Sequence, residues 1–279
     1  GARADLAAAV SQVYSVKGRP TDHPLIVHIA GANALDAWGE SVPRYARTLA
    51  DSLWPGPLTL VVRRSSAAAD FVTGGQDSVA LRVSAHPIMG EVLAHLMELT
   101  GNESIGIAAP SANRFGRVSP TSASHVVSEL AHFLSDDDVV LDGGECGVGL
   151  ESTIIDCTSS QPRLLRPGAI TADDVARLTG LECPSGSTVR ASGTLAKHYQ
   201  PSAEVRVVRA AELHDRWSLG SGAEAPVVGF LAMAGIDTPS GVVRLATPHS
   251  TDEYARALYA ALREADALGL ETVLAVAPE

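Results

Sequence analysis

The chain has 279 residues, 46% of them hydrophobic, which is enough for the core of one large domain or two ordinary ones and excludes global disorder. Its 32 acidic against 21 basic residues give a net charge of −11, which argues against a broad electrostatic grip on nucleic acid or an anionic membrane, and 4% aromatic residues are too few for a stacking platform. Cys146, Cys157 and Cys183 are scattered without a CxxC pair, which fits a reducing cytoplasm better than a disulfide framework; no apolar run reaches membrane-spanning length and no signal peptide is visible.

In chain order, Leu6, Val10 and Val13 at helical spacing predict a helix over 3–16, stopped by Gly18 and Pro20. "PLIVHIA" (24–30) reads as a strand. A helix over 43–53 is broken by "WPGP" (54–57). "LTLVVRR" (58–64) and "SVALRVS" (78–84) read as strands around a turn at Gly74-Gly75. A helix over 87–99 precedes the strand "SIGIAAP" (104–110), whose loop, "SANRFGRVSPT" (111–121), leads into a Ser- or Thr-capped helix over 121–134. "DVVLDGG", "ESTIIDCT" and "PRLLRPG" predict three more short strands. A helix over 171–180 opens on Thr171 with Asp173 and Asp174 in its first turn. Residues 182–203 lack apolar periodicity and are rich in Gly, Ser and Pro, so they read as a linker. Beyond it, "EVRVV", "APVVGFLAM", "GVVRLA" and "ETVLAVAP" are strands, with one helix over 252–268 before the last; this alternation predicts a small open α/β, Rossmann-like domain. The expected organisation is a first domain over 1–181, a linker over 182–203 and a second domain over 204–279. The chain opens inside a helical pattern with no start Met and closes on a strand, so further sequence is expected at both ends.

"VKGRPTDHPLIVHI" (16–29) gathers Lys17, Arg19, His23 and His28 in an otherwise acidic chain. The two cations suit a helix C-terminus, and the stiff Gly18 and Pro20 would also aim them from one place. His28 lies within an apolar run, as a satisfied core residue or as a ligand group. In the loop at 111–121, helix capping accounts for Ser119 and Thr121 but not for Ser111 and Asn113; small residues of this kind let hydroxyls and N–H groups approach a ligand closely. Arg82 interrupts an apolar strand and Arg166 ends another, each calling for an anionic partner unless it snorkels or sits on an edge. Ser152 and Thr153 follow the Gly-rich "GGECGVG". No Walker A, GxGxxG, Ser-His-Asp or HExxH pattern is legible, and Asp136 to Asp138 read as a solvated loop. Together these separated segments offer cations, hydroxyls and imidazoles to a small polyanion, in the manner of a nucleotide site.

The ordered strings "KGRPTDHPLIVHI", "WPGPLTLVV", "VALRVSAHPI", "IAAPSANRFGRVSPTSASHV" and "GLESTIIDCT…LLRPGAI" resemble the YrdC-type threonylcarbamoyl-AMP synthases. Lys17-Gly18-Arg19 and Ser111-Ala112-Asn113 match the family's Lys-x-Arg and Ser-x-Asn signature. The likeness runs from residue 1 to about 180, and "GTLAKHYQP" together with the domain after it resembles the long, two-domain form. The resemblance implies a twisted mixed sheet with a concave positive cavity. It implies an enzyme that makes threonylcarbamoyl-adenylate and pyrophosphate from L-threonine, bicarbonate or CO2, and ATP, with Mg2+ carried on the ATP and no metal held by the protein. The product would go to downstream tRNA-modifying transferase proteins in the cytoplasm, with direct tRNA binding weak or absent and no membrane partner.

By the same resemblance, Lys17 and Arg19 are the catalytic candidates. Arg19, His23, Ser78, Ser111, Asn113, Ser119, Arg166 and Tyr199 would contact ATP. His28, Arg82, Ala109 and Ser152 would line the L-threonine site. The linker, with His198 and Tyr199, is expected to act as a lid. The chain departs from the family pattern in lacking a segment like "FPTETVYGLGA" ahead of its first helix, in Phe115, and in Ser84; neither of these two residues is expected to touch a proposed contact. The rival readings are a non-catalytic RNA- or nucleotide-binding module of this fold, and the related domain of hydrogenase maturation factors, whose paired zinc-finger-like cysteines are absent here.

Overall fold

Runs of Val, Ile and Leu four to six residues long read as strands buried on both faces, and they form a sheet here. The computed structural model describes residues 1–193, 199–213 and 228–278. They fall into two compact units. The first comprises Gly1–Phe115, Val127–Gly143 and Glu151–Ala196; the second comprises Gly116–Val126, Gly144–Leu150 and Lys197–Glu279.

The first unit runs β1 (Ala2–Arg3), α1 (Ala7–Lys17), β2 (Ile26–Ile29), α2 (Leu35–Trp38), α3 (Arg44–Leu53), β3 (Leu58–Arg63), α4 (Asp70–Thr73), β4 (Ser78–Arg82), α5 (Pro87–Thr100) and β5 (Gly106–Ala108). After α6 (Ala123–Leu130), which straddles the two units, come β6 (Thr153–Asp156), β7 (Arg163–Arg166) and α7 (Ala172–Thr179). The seven strands form one mixed sheet in the order β1-β5-β2-β4-β3-β6-β7. Only β2 with β4 and β3 with β6 are parallel pairs.

Because side chains alternate across a strand, the two faces of this sheet are built from different residues. Val27, Ile29, Leu58, Leu60, Val62, Val79, Leu81 and Ile155 belong to the main apolar core with α1 and α3. Ile26, Val61, Ala80 and Ile154 form a smaller cluster with Ala191 on the other face. The same alternation puts His28, Thr59, Ser78 and Arg82 on that second face.

The second unit contains β8 (Glu204–Val208), β9 (Val228–Leu231), β10 (Val242–Ala246), α8 (Thr251–Ala267) and β11 (Thr272–Val276). Its four strands are all parallel, in the order β10-β9-β11-β8, which is the open α/β pattern expected from the sequence. Ser250 caps α8 by accepting from the Glu253 N–H. Arg244 donates to the carbonyls of Ala232, Met233, Ile236 and Ala246, tying down the chain after β9.

Several expectations change. Residues 2–3 form a strand and the first helix starts at Ala7. Residues 138–144 form no strand: Val139 and Leu141 face solvent, and Asp138 accepts from the N–H and hydroxyl of Ser135 instead. The compact units also divide differently from the expected domains. The first half of the expected linker packs on the first unit through buried Cys183, the Leu164 N–H to Pro184 O bond, and Ser187 donating to Asp156 at 2.6 Å. Residues 194–198, with His198, lie outside the described residues.

Candidate active site

α1 ends because Gly18 takes a left-handed conformation (φ +60°), turning the chain so that Lys17 and Arg19 point into the unit. A side chain at Gly18 would collide with the Arg114 guanidinium, 2.6 Å from where its Cβ would lie. The middle position of Lys-Gly-Arg is therefore fixed by its left-handed backbone, while a Cβ there would displace only the tip of the Arg114 side chain. Lys17 is buried, and its ammonium donates to the carbonyls of Ser111, at 2.5 Å, and Asn113. The Phe115 N–H donates to Lys17 O at 2.8 Å, and the Arg114 guanidinium donates to Val16 O at 2.5 Å. Glu129 of α6 accepts from the Arg114 N–H at 2.7 Å. The Ser-x-Asn loop and the Lys-x-Arg turn are thus strapped together by main-chain contacts. A cavity of about 230 Å³ opens beside Lys17 and Ser111, walled by α1, Leu130, Leu134 and Asp138; Arg19, His28, Arg82 and Arg166 do not line it.

Burial, then the neighbouring Arg19 charge, pull the Lys17 ammonium down to about 7, with Glu129 acting in the opposite sense. Arg19 is buried and donates to His23 O and Pro24 O. Phe115 meets both groups: the Arg19 guanidinium lies 5.6 Å from its ring centre, and the His23 ring meets it edge-on at 5.3 Å. This corrects the expectation that Phe115 touches no proposed contact. Burial and Arg19 also lower the His23 pKa.

A second group lies on the same face of the sheet as Ile26 and Ala80. Strand register sets His28 beside Arg82 and Ile154 beside Arg166. Arg166 is buried and grips Ser152 three times, donating to its carbonyl from Nε (3.0 Å) and Nη2 (2.8 Å) and to its hydroxyl (3.0 Å). The Ser152 hydroxyl in turn lies 2.7 Å from that of Thr59. Arg82 donates from Nε to Gly56 O at 3.0 Å, and its terminal nitrogens have no hydrogen-bond partner among the described residues. Burial, then Arg166, lower the Arg82 pKa. His28 is buried with its Nδ1 lacking a partner among the described residues; burial, then Arg82, push its pKa down to about 3, so the ring is neutral. The Ala109 N–H donates to Ile26 O at 2.9 Å, bringing that residue to β2.

The two groups meet at Ser192. Its hydroxyl accepts from Arg19 at 3.5 Å and its carbonyl from Arg166 at 2.9 Å. The structure therefore gathers Lys17, Arg19, His23, Ser111 and Asn113 in one group, and His28, Arg82, Ser152 and Arg166 in the other. Ser78 is buried four residues before Arg82 on the same face, and Ala109 is joined to β2. Ser119 and Tyr199 belong to the second unit. The sequence reading missed Thr59, Arg114, Glu129 and Ser192. For Thr59 the strand alternation was the available signal.

A mixed α/β unit that sets Arg82, Arg166, a neutral His28 and several hydroxyls on one sheet face, and joins them through Ser192 to Arg19 beside Lys17, has the make-up of a small-polyanion site. The family model Sua5_yciO_yrdC, described as telomere recombination, matches residues 1–168, and the model described as threonylcarbamoyl-AMP synthase, C-terminal domain, matches residues 168–279. The chain belongs to the Sua5/YciO/YrdC family, in its two-domain form. It is 38% identical to a threonylcarbamoyl-AMP synthase of Pyrococcus abyssi, over 96% of this chain and 78% of the relative. It is 33% identical to one from Bacillus subtilis, over 99% and 80%. The crystal structure of P. abyssi Sua5 complexed with L-threonine superposes with a TM-score of 0.82 at 36% identity, covering 100% of this chain and 82% of that one.

Proposed function

We infer that this chain is a threonylcarbamoyl-AMP synthase: a nucleotidyltransferase that converts L-threonine, bicarbonate or CO2, and ATP into threonylcarbamoyl-adenylate and pyrophosphate. The observation that carries the residue assignment is the row His28–Arg82 with Ser152–Arg166 on one sheet face, joined through Ser192 to the Lys17–Arg19 turn.

The amine of threonine attacks CO2 to give a carbamate, losing a proton. A carbamate oxygen attacks the α-phosphorus, and the bond to the β-phosphate oxygen breaks as pyrophosphate leaves. Charge grows on phosphate oxygens, so the protein's work is to position the reactants and supply cations. Arg82 takes the threonine carboxylate: anchored through Nε, it offers its two terminal nitrogens as a fork. His28 is neutral and adds no charge beside Arg82, so it lines the threonine site as a hydrogen-bonding ring, with Ala109 and Ser152. Lys17, Arg19 and Arg166 hold the phosphates. His23, Ser78, Ser111 and Asn113 position the nucleotide; the family resemblance also assigns Ser119 and Tyr199 to ATP. Mg2+ arrives on the triphosphate as part of the substrate.

The product feeds transferases that modify tRNA. With a net charge of −11, the chain binds tRNA weakly or not at all. No helix among the described residues is long and apolar enough to cross a membrane; three scattered cysteines without a CxxC pair support reading the enzyme as cytoplasmic. The test is incubation with ATP, L-threonine and labelled bicarbonate. A labelled adenylate and equimolar pyrophosphate are expected, whereas ATP binding with neither product would refute the activity.

A further inference from the structure

One face of α8 carries Tyr259, Arg263 and Asp266, at spacings of four and three. Arg263 donates from Nε to Ser119 O at 3.2 Å and from Nη2 to Val118 O. Val118 and Ser119 are both buried, and Val118 joins Tyr259 and Leu262 in one apolar cluster. One turn on, Asp266 accepts from the N–H groups of Ser202 (2.8 Å) and Ala203 (3.1 Å) and lies 3.9 Å from the Arg117 guanidinium. The Tyr259 ring lies 5.6 Å from that of Tyr199, tilted by 30°. Tyr199 itself holds a left-handed backbone (φ +58°), which a non-glycine residue keeps only where its surroundings impose it.

The helix thus grips two segments far apart in sequence, 117–119 and 199–203. The first holds Ser119 and the second Tyr199, the two residues of this unit that the family resemblance assigns to ATP. A helix face used only for packing would offer apolar side chains. This one instead fixes main-chain carbonyls and N–H groups with charged groups, and so sets the backbone from which Ser119 projects.

We propose that Arg263 is a positioning residue for the synthase reaction, holding the Ser119 segment from α8 in the conformation that contacts ATP. The inference rests on the reading of Ser119 as an ATP contact.

The test compares Arg263→Met, which keeps the stem, Arg263→Lys, which keeps the charge, Ser119→Ala, and the Arg263→Met/Ser119→Ala double variant. Steady-state constants for ATP and for threonine are measured alongside the thermal midpoint. Arg263→Met is expected to raise the KM for ATP about tenfold, the scale of one charge-assisted hydrogen bond, with the KM for threonine unchanged. Arg263→Lys should recover part of the loss. The double variant should be no worse than the poorer single one, since both act through one group. Equal losses for ATP and threonine that track a fallen thermal midpoint would make Arg263 merely structural and overturn the proposal. A silent Arg263→Met beside a damaging Ser119→Ala would overturn the positioning role alone. A silent Ser119→Ala would overturn the reading of Ser119 as an ATP contact, and the proposal with it.

Discussion

The two faces of the seven-stranded sheet share the same strands and serve opposite ends. On one face Val27, Leu60, Leu81 and Ile155 interlock with α1 and α3, and every one of them is buried against apolar neighbours. On the other, Ile26, Val61, Ala80 and Ile154 alternate with or adjoin His28, Thr59, Arg82 and Ser152. A change of one position along a strand thus moves a residue from the apolar core to the face that carries the polar groups. The apolar face fixes the register, and the register places the polar groups in a row.

The sharpest way to break this division is to cut into each face in turn. Leu60→Ala removes a fully buried side chain from the core face and is expected to cost about 2–5 kcal/mol of stability by urea unfolding. The fraction that remains folded should bind ATP and threonine as before; weakened binding there would mean that the faces are not independent. Lys17→Met should do the reverse. Transition-state stabilisation should fall by about 2–4 kcal/mol, on the scale of a lost oxyanion donor, as read from pyrophosphate release. Turnover at the level of the unmodified protein would remove Lys17 from the mechanism.

Arg82→Lys keeps the charge and loses the planar fork. Threonine affinity should drop about tenfold, or ~1.4 kcal/mol, with little change for ATP. Equal losses for both ligands in calorimetry would move Arg82 to the phosphates.

The smallest expected effect is a proton. Lys17 in the free protein titrates at about 7 against 10.5 for an ordinary lysine, so between these values the unfolded chain holds a proton that the folded chain has released. Lys17 therefore makes stability rise with pH across that window. A bound triphosphate favours the ammonium again. ATP binding at pH 8 should take up a proton, seen as a dependence of the binding heat on the buffer's ionisation enthalpy, whereas at pH 6 it should take up almost none. Lys17→Met should abolish the uptake, and an unchanged uptake would assign it to another group.

Apart from β1, whose two residues hold no apolar run, the strands of the first unit were legible in their Val, Ile and Leu runs, although the run at 139–141 faces solvent and forms none, and Arg82 stood out because a charge inside such a run demands a reason. Thr59 did not stand out, since a threonine in a strand satisfies ordinary β-propensity; alternation with Val61 gives its face, and the register with β6 adds that its hydroxyl meets Ser152. Arg114 and Glu129 resembled solvated charges of a loop and a helix. Their work is on main-chain groups of another segment, which no spacing rule detects. Ser192 was hidden for a related reason: residues 182–193 are held largely by polar contacts and a few small apolar side chains, so they carry no periodicity even where they are packed.

The division between the faces is tested most directly by methyl-labelled NMR of the protein titrated with ATP and L-threonine. Resonances of Ile26, Val61, Ala80 and Ile154 are expected to shift, while those of Ile29, Leu60, Leu81 and Ile155 stay in place. Shifts of equal size on both faces, or shifts confined to the second set, would contradict the account.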